Sequence, residues 1–210
     1  MVPLALFRDR LALVTAGVCA GFAGRHEAAA GLRDAVHLTR LGDNPGPSGA
    51  IFGQCSRAVT RPITVAHLGK ALDGVAAERI ALCLNAAGGT PVDRAAQVLK
   101  SMLADSPRAE TAALILADAV LSKALSRDHV LPLISLALTP RNMRLRADDL
   151  RLACQRAVMA GGVWRFRWQP IWRARRCGSV RWFRSCGPEG RFGRSSCSCR
   201  AMRWRLRRWT

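Results

Sequence analysis

Thr90-Pro91-Val92-Asp93-Arg94-Ala95-Ala96-Gln97-Val98-Leu99-Lys100-Ser101-Met102-Leu103 is the stretch that decides the fold. Thr90 can accept a first-turn N–H through its side-chain oxygen. Pro91 lacks the N–H that would otherwise go unpaired at a first helical position, and Asp93 places a negative charge at the positive end of the helix. Val92, Ala95, Ala96, Leu99, Met102 and Leu103 then recur at the spacing of one helical face. Start signal, propensity and periodicity agree, so a helix is predicted here with its apolar stripe turned inward.

The same grammar extends in both directions. Upstream, Leu4, Phe7, Leu11, Val14, Val18 and Phe22 mark an opening helix that stops near Gly21–Gly24. A second helix is expected from about His26 to Thr39. The segment Gly42-Asp43-Asn44-Pro45-Gly46-Pro47-Ser48-Gly49 reads as a shaped, non-helical loop, followed by a helix from Ala50 to Val59. Val65, Leu68 and Leu72 end at Asp73-Gly74, and Val75 to Leu84 form the next helix. Downstream, Ser106-Pro107 is expected to open an alanine-rich helix to Leu125 with a polar face of Thr111, Asp118 and Ser122. Ser126 is expected to cap a short helix through Leu138. Arg141 to Arg146 reads as a basic linker, and Ala147 to Ala160 as the last helix. No stretch alternates with period two long enough to require a strand. The predicted class is all-α, an irregular multi-helix bundle or stacked helical hairpins.

Composition divides the chain at about residue 160. Residues 1–160 carry 19 basic and 13 acidic side chains, whereas residues 161–210 carry 14 Arg, no Lys and one acid, Glu189. The second segment also holds all six Trp, half of the eight Cys, and one leucine, Leu206. Two domains are therefore expected: a helical domain over 1–160, and a poorly ordered Arg/Trp/Cys-rich tail over 161–210. The tail residues are those of CGN, TGG, TGC and GGN codons, which dominate off-frame readings of GC-rich DNA. Arg167 to Arg173 can be written CGC TGG CAG CCG ATC TGG CGC. Read two bases later, that string encodes Leu-Ala-Ala-Asp-Leu-Ala, helical sequence like that upstream. The tail is accordingly read as translation in a shifted frame, and the alternative is an arginine–tryptophan arm for nucleic acid or membrane. Either way it should bind polyanions adventitiously. Without it, the net charge of +19 is no argument for a specific nucleic-acid partner.

Cys19, Cys55, Cys83 and Cys154 are isolated in apolar surroundings and read as buried free thiols. Cys177, Cys186, Cys197 and Cys199 lack the spacing and histidine companions of a zinc site. Arg8 and Arg10 precede an apolar run, but Asp9 interrupts the basic segment, and some fourteen apolar residues fall short of the ~20 needed to span a bilayer. A cytoplasmic protein without a membrane span is expected.

Leu32-Arg33-Asp34-Ala35-Val36-His37-Leu38-Thr39, followed by the Gly42 to Gly49 loop, resembles the central signature of a bacterial family, domain of unknown function 1403. Leu114-Ile115-Leu116-Ala117-Asp118-Ala119, Asp128-His129-Val130-Leu131-Pro132-Leu133 and Asp148-Asp149-Leu150-Arg151-Leu152-Ala153-Cys154 resemble its later segments. The resemblance covers about residues 8–160. It implies longer relatives, with a segment before this one and further helices after it, and it implies no activity, cofactor or catalytic residue.

Three functions are carried forward. The leading one is a non-enzymatic interaction or scaffold domain with a protein partner. The second is a DNA-binding accessory protein, using a helix-turn-helix-like hairpin around Asp73-Gly74 with Arg79 on its second helix. The third is a metal-dependent enzyme built on Asp34, His37, Asp43, Asp128 and His129. Against the third stands the ordinary reading of these residues as solvated positions. No nucleophile with a nearby base is evident, and no cofactor is expected.

Overall fold

A computed structural model of the protein describes residues 4–25, 29–40 and 43–162. Its helices are α1 (Leu4–Phe22), α2 (Ala29–His37), α3 (Gly46–Thr60), α4 (Val65–Ala71), α5 (Ala77–Leu84), α6 (Pro91–Asp105), α7 (Glu110–Ala124) and α8 (residues 147–162), with one 3-10 turn at Asn142–Arg144. No strand occurs among the described residues, where the sole extended pairing is a bridge between Pro62 and His129.

α7 is the axis of the fold. Every residue from Ala112 to Ser122 is buried, as expected for a helix that is apolar on nearly all sides. α6 packs along it, and α1, α3 and α5 also touch it, while α1 lies against α3 with α2 beside both. Leu32, Leu68, Leu72, Ile80, Leu99, Leu114, Leu116, Leu121, Ile134 and Leu150 are the largest apolar side chains fully inside this core. Among the described residues no helix is long and apolar enough to cross a membrane.

The start of α6 is as the sequence dictates. Thr90 Oγ1 accepts the Asp93 N–H at 3.2 Å, and Asp93 Oδ2 accepts the Thr90 N–H at 2.9 Å, so both first-turn donors are satisfied reciprocally. The buried side chains Ala95, Ala96, Val98, Leu99 and Met102 follow the expected stripe closely.

Four local expectations need correction. The Gly42 to Gly49 segment is not wholly a loop, because α3 begins at Gly46. Gly46 has φ +73°, a conformation glycine adopts without strain. Its N–H is taken by Asn44 Oδ1 at 2.9 Å, and Pro47 sits in the first turn, where a missing N–H costs nothing. Ser106-Pro107 does not open α7. Ser106 closes α6, giving its N–H to the Met102 carbonyl, and α7 starts after Ala109 without a side-chain cap.

The helix expected from Ser126 to Leu138 is absent: residues 126–141 run as turns and extended backbone. Ser126 has φ +54° and ends α7 in the left-handed region. Pro132 lacks an N–H and disfavours a helical conformation at Leu131. Three N–H groups of the segment, those of Leu131, Ile134 and Ser135, find side chains of α7 instead, which is the fourth correction: Asp118 and Ser122 are not a solvated polar face but are each 1% exposed.

The expected limit of the helical domain at residue 160 falls inside α8, which continues through 162. Gly161 is buried, and a Cβ there would lie 2.5 Å from the Leu133 carbonyl oxygen. The expectations for the tail lie outside the described residues from 163 onward.

Candidate functional site

Asp118 is the most constrained polar group in the core. Its Oδ1 accepts the Ile134 N–H at 2.8 Å. Its Oδ2 accepts the Ser135 N–H at 3.1 Å and the Ser135 hydroxyl at 2.6 Å. One turn further along, Ser122 Oγ accepts the Leu131 N–H at 2.8 Å. Two side chains on one face of α7 thus take three backbone donors of a segment with no ladder of its own, meeting the requirement that buried N–H groups be paired. Burial is the dominant influence on the carboxyl and pushes its pKa up to about 7, while the Ser135, Ile134 and Leu133 donors pull it back.

Two thiols feel that carboxyl. Burial, and then the Asp118 charge, push Cys154 on α8 up to about 12. Cys55 on α3 is raised first by its hydrogen bond with the Cys19 thiol of α1, then by burial. All four described cysteines are buried and free, as expected. Sequence inspection missed the role of Asp118. The available signal was a lone carboxylate within Leu114-Ile115-Leu116-Ala117-Asp118-Ala119-Val120-Leu121, which no solvated helix face would surround so completely.

The residues singled out from sequence are dispersed. Asp34 is half exposed and pairs with Arg33 at 3.2 Å. The His37 side chain lies outside the described residues, and Asp43 is exposed. Asp128 and His129 sit together beyond α7, held by the Ile63 N–H donating to the Asp128 carbonyl at 2.8 Å. Among the described residues no three His, Cys, Asp or Glu side chains form a group that could hold a metal. Arg79 turns back onto α6, where its Nη2 donates to Ser101 Oγ at 2.5 Å and to Asp105 Oδ2. Asp73 pairs with Arg57 of α3 at 3.6 Å. The α4–α5 hairpin is therefore tied into the bundle through the side chain that a DNA-reading role would employ.

α8 presents two unlike faces. Leu150, Ala153, Cys154, Ala157 and Gly161 are buried, whereas Leu152 is 44% and Met159 74% exposed, seven residues apart on one stripe with exposed Arg156 between them. Leu152 and Met159 thus leave apolar surface on the side of α8 away from its packed face.

A family model described as "Protein of unknown function (DUF1403)" matches residues 1–169. No curated protein and no solved structure matches the chain.

Proposed function

The chain belongs to the DUF1403 family of proteins of unknown function, and from that premise we propose that its helical domain works by binding another protein through the outer face of α8. The observation that carries this reading is the Leu152–Met159 stripe, left exposed on a helix whose opposite face is fully packed. The occupant it fits is an amphipathic helix with apolar residues at i and i+7 and a carboxylate between them to meet Arg156, the helix-in-groove mode of recognition. Burying two such side chains contributes on the order of 3 kcal/mol before the cost of association. Free thiols at Cys19 and Cys55, adjacent yet unjoined, fit a reducing, cytoplasmic setting.

The test places a photo-crosslinking residue at position 152 or 159 of the full chain in its native cells. One discrete adduct, lost when Arg156 is changed to Glu, is expected from both positions and not from exposed Leu82 on α5. Absence of a discrete adduct at both positions rejects the reading. Leu152→Asp and Met159→Asp should leave the melting temperature unchanged, because exposed substitutions move stability by about 0.5 kcal/mol or less.

We further propose that the Arg/Trp-rich tail arises from a shift of reading frame. Support comes from the step in composition near residue 160, and codons can be chosen for Arg167 to Arg173 that read as helical sequence two bases later. Sequencing the gene across codons 155–175 tests it: an alternative open frame rich in Ala and Leu codons is expected, and its absence rejects the idea.

A further inference from the structure

The segment that follows α7 does more than fill the space beside Asp118. Where it leaves the helix, it forms one wall of a cleft whose other wall is the first turns of α1. The cleft has a volume of about 190 Å³, and Arg8, Arg127, Asp128 and His129 line it together with apolar side chains including Phe7, Leu11 and Val130. Such a volume is below the ~300–1,000 Å³ of sites for drug-sized ligands, so only a small molecule fits.

The charge balance is specific. Among the described residues neither Arg8 nor Arg127 has an ion-pair partner, in contrast to Arg33, Arg57, Arg79 and Arg151. Asp128 supplies one negative charge against these two positive ones. His129 is held below its ordinary pKa first by burial and then by the Arg8 charge, with Asp128 opposing, so at neutral pH its ring adds no charge. Among the described residues the cleft thus carries one net positive charge beside an apolar wall. The backbone of this wall is fixed, because the Ile63 N–H donates to the Asp128 carbonyl and Pro62 bridges to His129.

We propose that this cleft binds a short-chain monocarboxylate, the carboxylate held between Arg8 and Arg127 and the alkyl chain laid along Phe7, Leu11 and Val130. Guanidinium groups suit a carboxylate because their planar donors match its two oxygens, and such charge-assisted hydrogen bonds are about twice as strong as neutral ones. A divalent anion such as phosphate would leave one charge uncompensated and would gain nothing from the apolar wall. This assignment is independent of the α8 face, which lies on another element.

The test uses the full chain, hexanoate as the probe, and the NMR signals of the His129 ring as a local reporter, assigned with His129→Gln. Saturable shifts of that ring are expected on adding hexanoate, with its pKa rising at saturation because a nearby anion favours the imidazolium. Arg8→Ala and Arg127→Ala should each weaken binding by roughly tenfold or more. Hexanol, and phosphate at matched ionic strength, should give no saturable change. The proposal is overturned by a merely linear drift of the His129 signals, by unchanged affinity in both arginine variants, or by phosphate binding as tightly as hexanoate. Arg127 is exposed, so its variant keeps the test decisive even if Arg8→Ala impairs folding.

Discussion

A carboxyl group that is 1% exposed and titrates near pH 7 makes the stability of this domain depend on pH in a direction opposite to most acidic side chains. The folded-state pKa of Asp118 lies above its unfolded value of 3.8, so the native state holds the proton more tightly than the unfolded one. The associated stability is complete below about 3.8 and is lost as pH rises through about 7, a change on the order of 4 kcal/mol at ~1.36 kcal/mol per unit. Cys55 and Cys154, the titratable neighbours facing it, are raised and remain protonated throughout that window. His129 is lowered and works in the opposite direction near its own titration. Melting temperature measured between pH 4.5 and 8 should therefore fall, and Asp118→Asn should remove most of the fall while leaving the His129 contribution in place. An equal slope in both proteins would show that Asp118 is not its source. Asp118→Ala leaves the Ile134 and Ser135 N–H groups buried without partners and should cost about 2–4 kcal/mol. None of this was legible in the sequence, where Asp118 was grouped with Thr111 and Ser122 as a polar face. Spacing places residues on a side of a helix, but only the tertiary arrangement shows whether that side meets water or an unsupported backbone.

Helix ends show how far local chemistry can be trusted. At α6 every local signal agrees, and the capping box forms as the sequence dictates. At Ser106-Pro107 the same pair of residue types closes one helix rather than opening the next, because the chain must reverse between α6 and α7 and Pro107 lies in the turn. The two sites make a paired prediction. Thr90→Ala should cost about 1 kcal/mol in urea denaturation. Ser106→Ala should change it by about 0.5 kcal/mol or less, since its side chain caps nothing. Comparable losses at both sites would mean that Ser106 supports α7 after all. Beyond the caps, the helices of the first half were readable because each buries a stripe of its own, as α6 does with Ala95, Leu99 and Met102. The stretch after Ser126 was not, because Val130, Ile134 and Leu138 recur at helical spacing while Pro132 and the acceptors on α7 direct the backbone elsewhere.

For the molecule as a whole, charge is the property most easily misread. The formal +19 belongs mostly to residues after 160, where 14 Arg face a single acid. Arg79, the basic residue that the sequence places on the second helix of the α4–α5 hairpin, is engaged by Ser101 and Asp105. Duplex DNA should therefore bind the full chain without sequence preference and with a steep salt dependence set by the tail arginines. Arg79→Ala should leave the affinity and its salt slope unchanged. A sequence-selective complex weakened by Arg79→Ala would revive the DNA-binding reading. Of the residues considered at the outset, Asp128 and His129 line one cleft, and its opposite wall carries Arg8, which no spacing rule connects to them.

The close approach of Gly161 to the Leu133 carbonyl has a bearing on how the protein is made. The segment around Leu133 is synthesised soon after α7, and Asp118 and Ser122 can take its N–H groups at once. The core that holds Ile134 and Leu138 also takes Leu150, Ala153, Cys154 and Ala157 from α8, so it is complete only when that last helix has emerged. During that interval the nascent chain exposes an apolar strip suited to a holding chaperone. A ribosome that changes frame after codon 162 still delivers the closing piece, whereas one that changes frame before codon 147 releases a chain whose central helix is finished and whose cover never arrives.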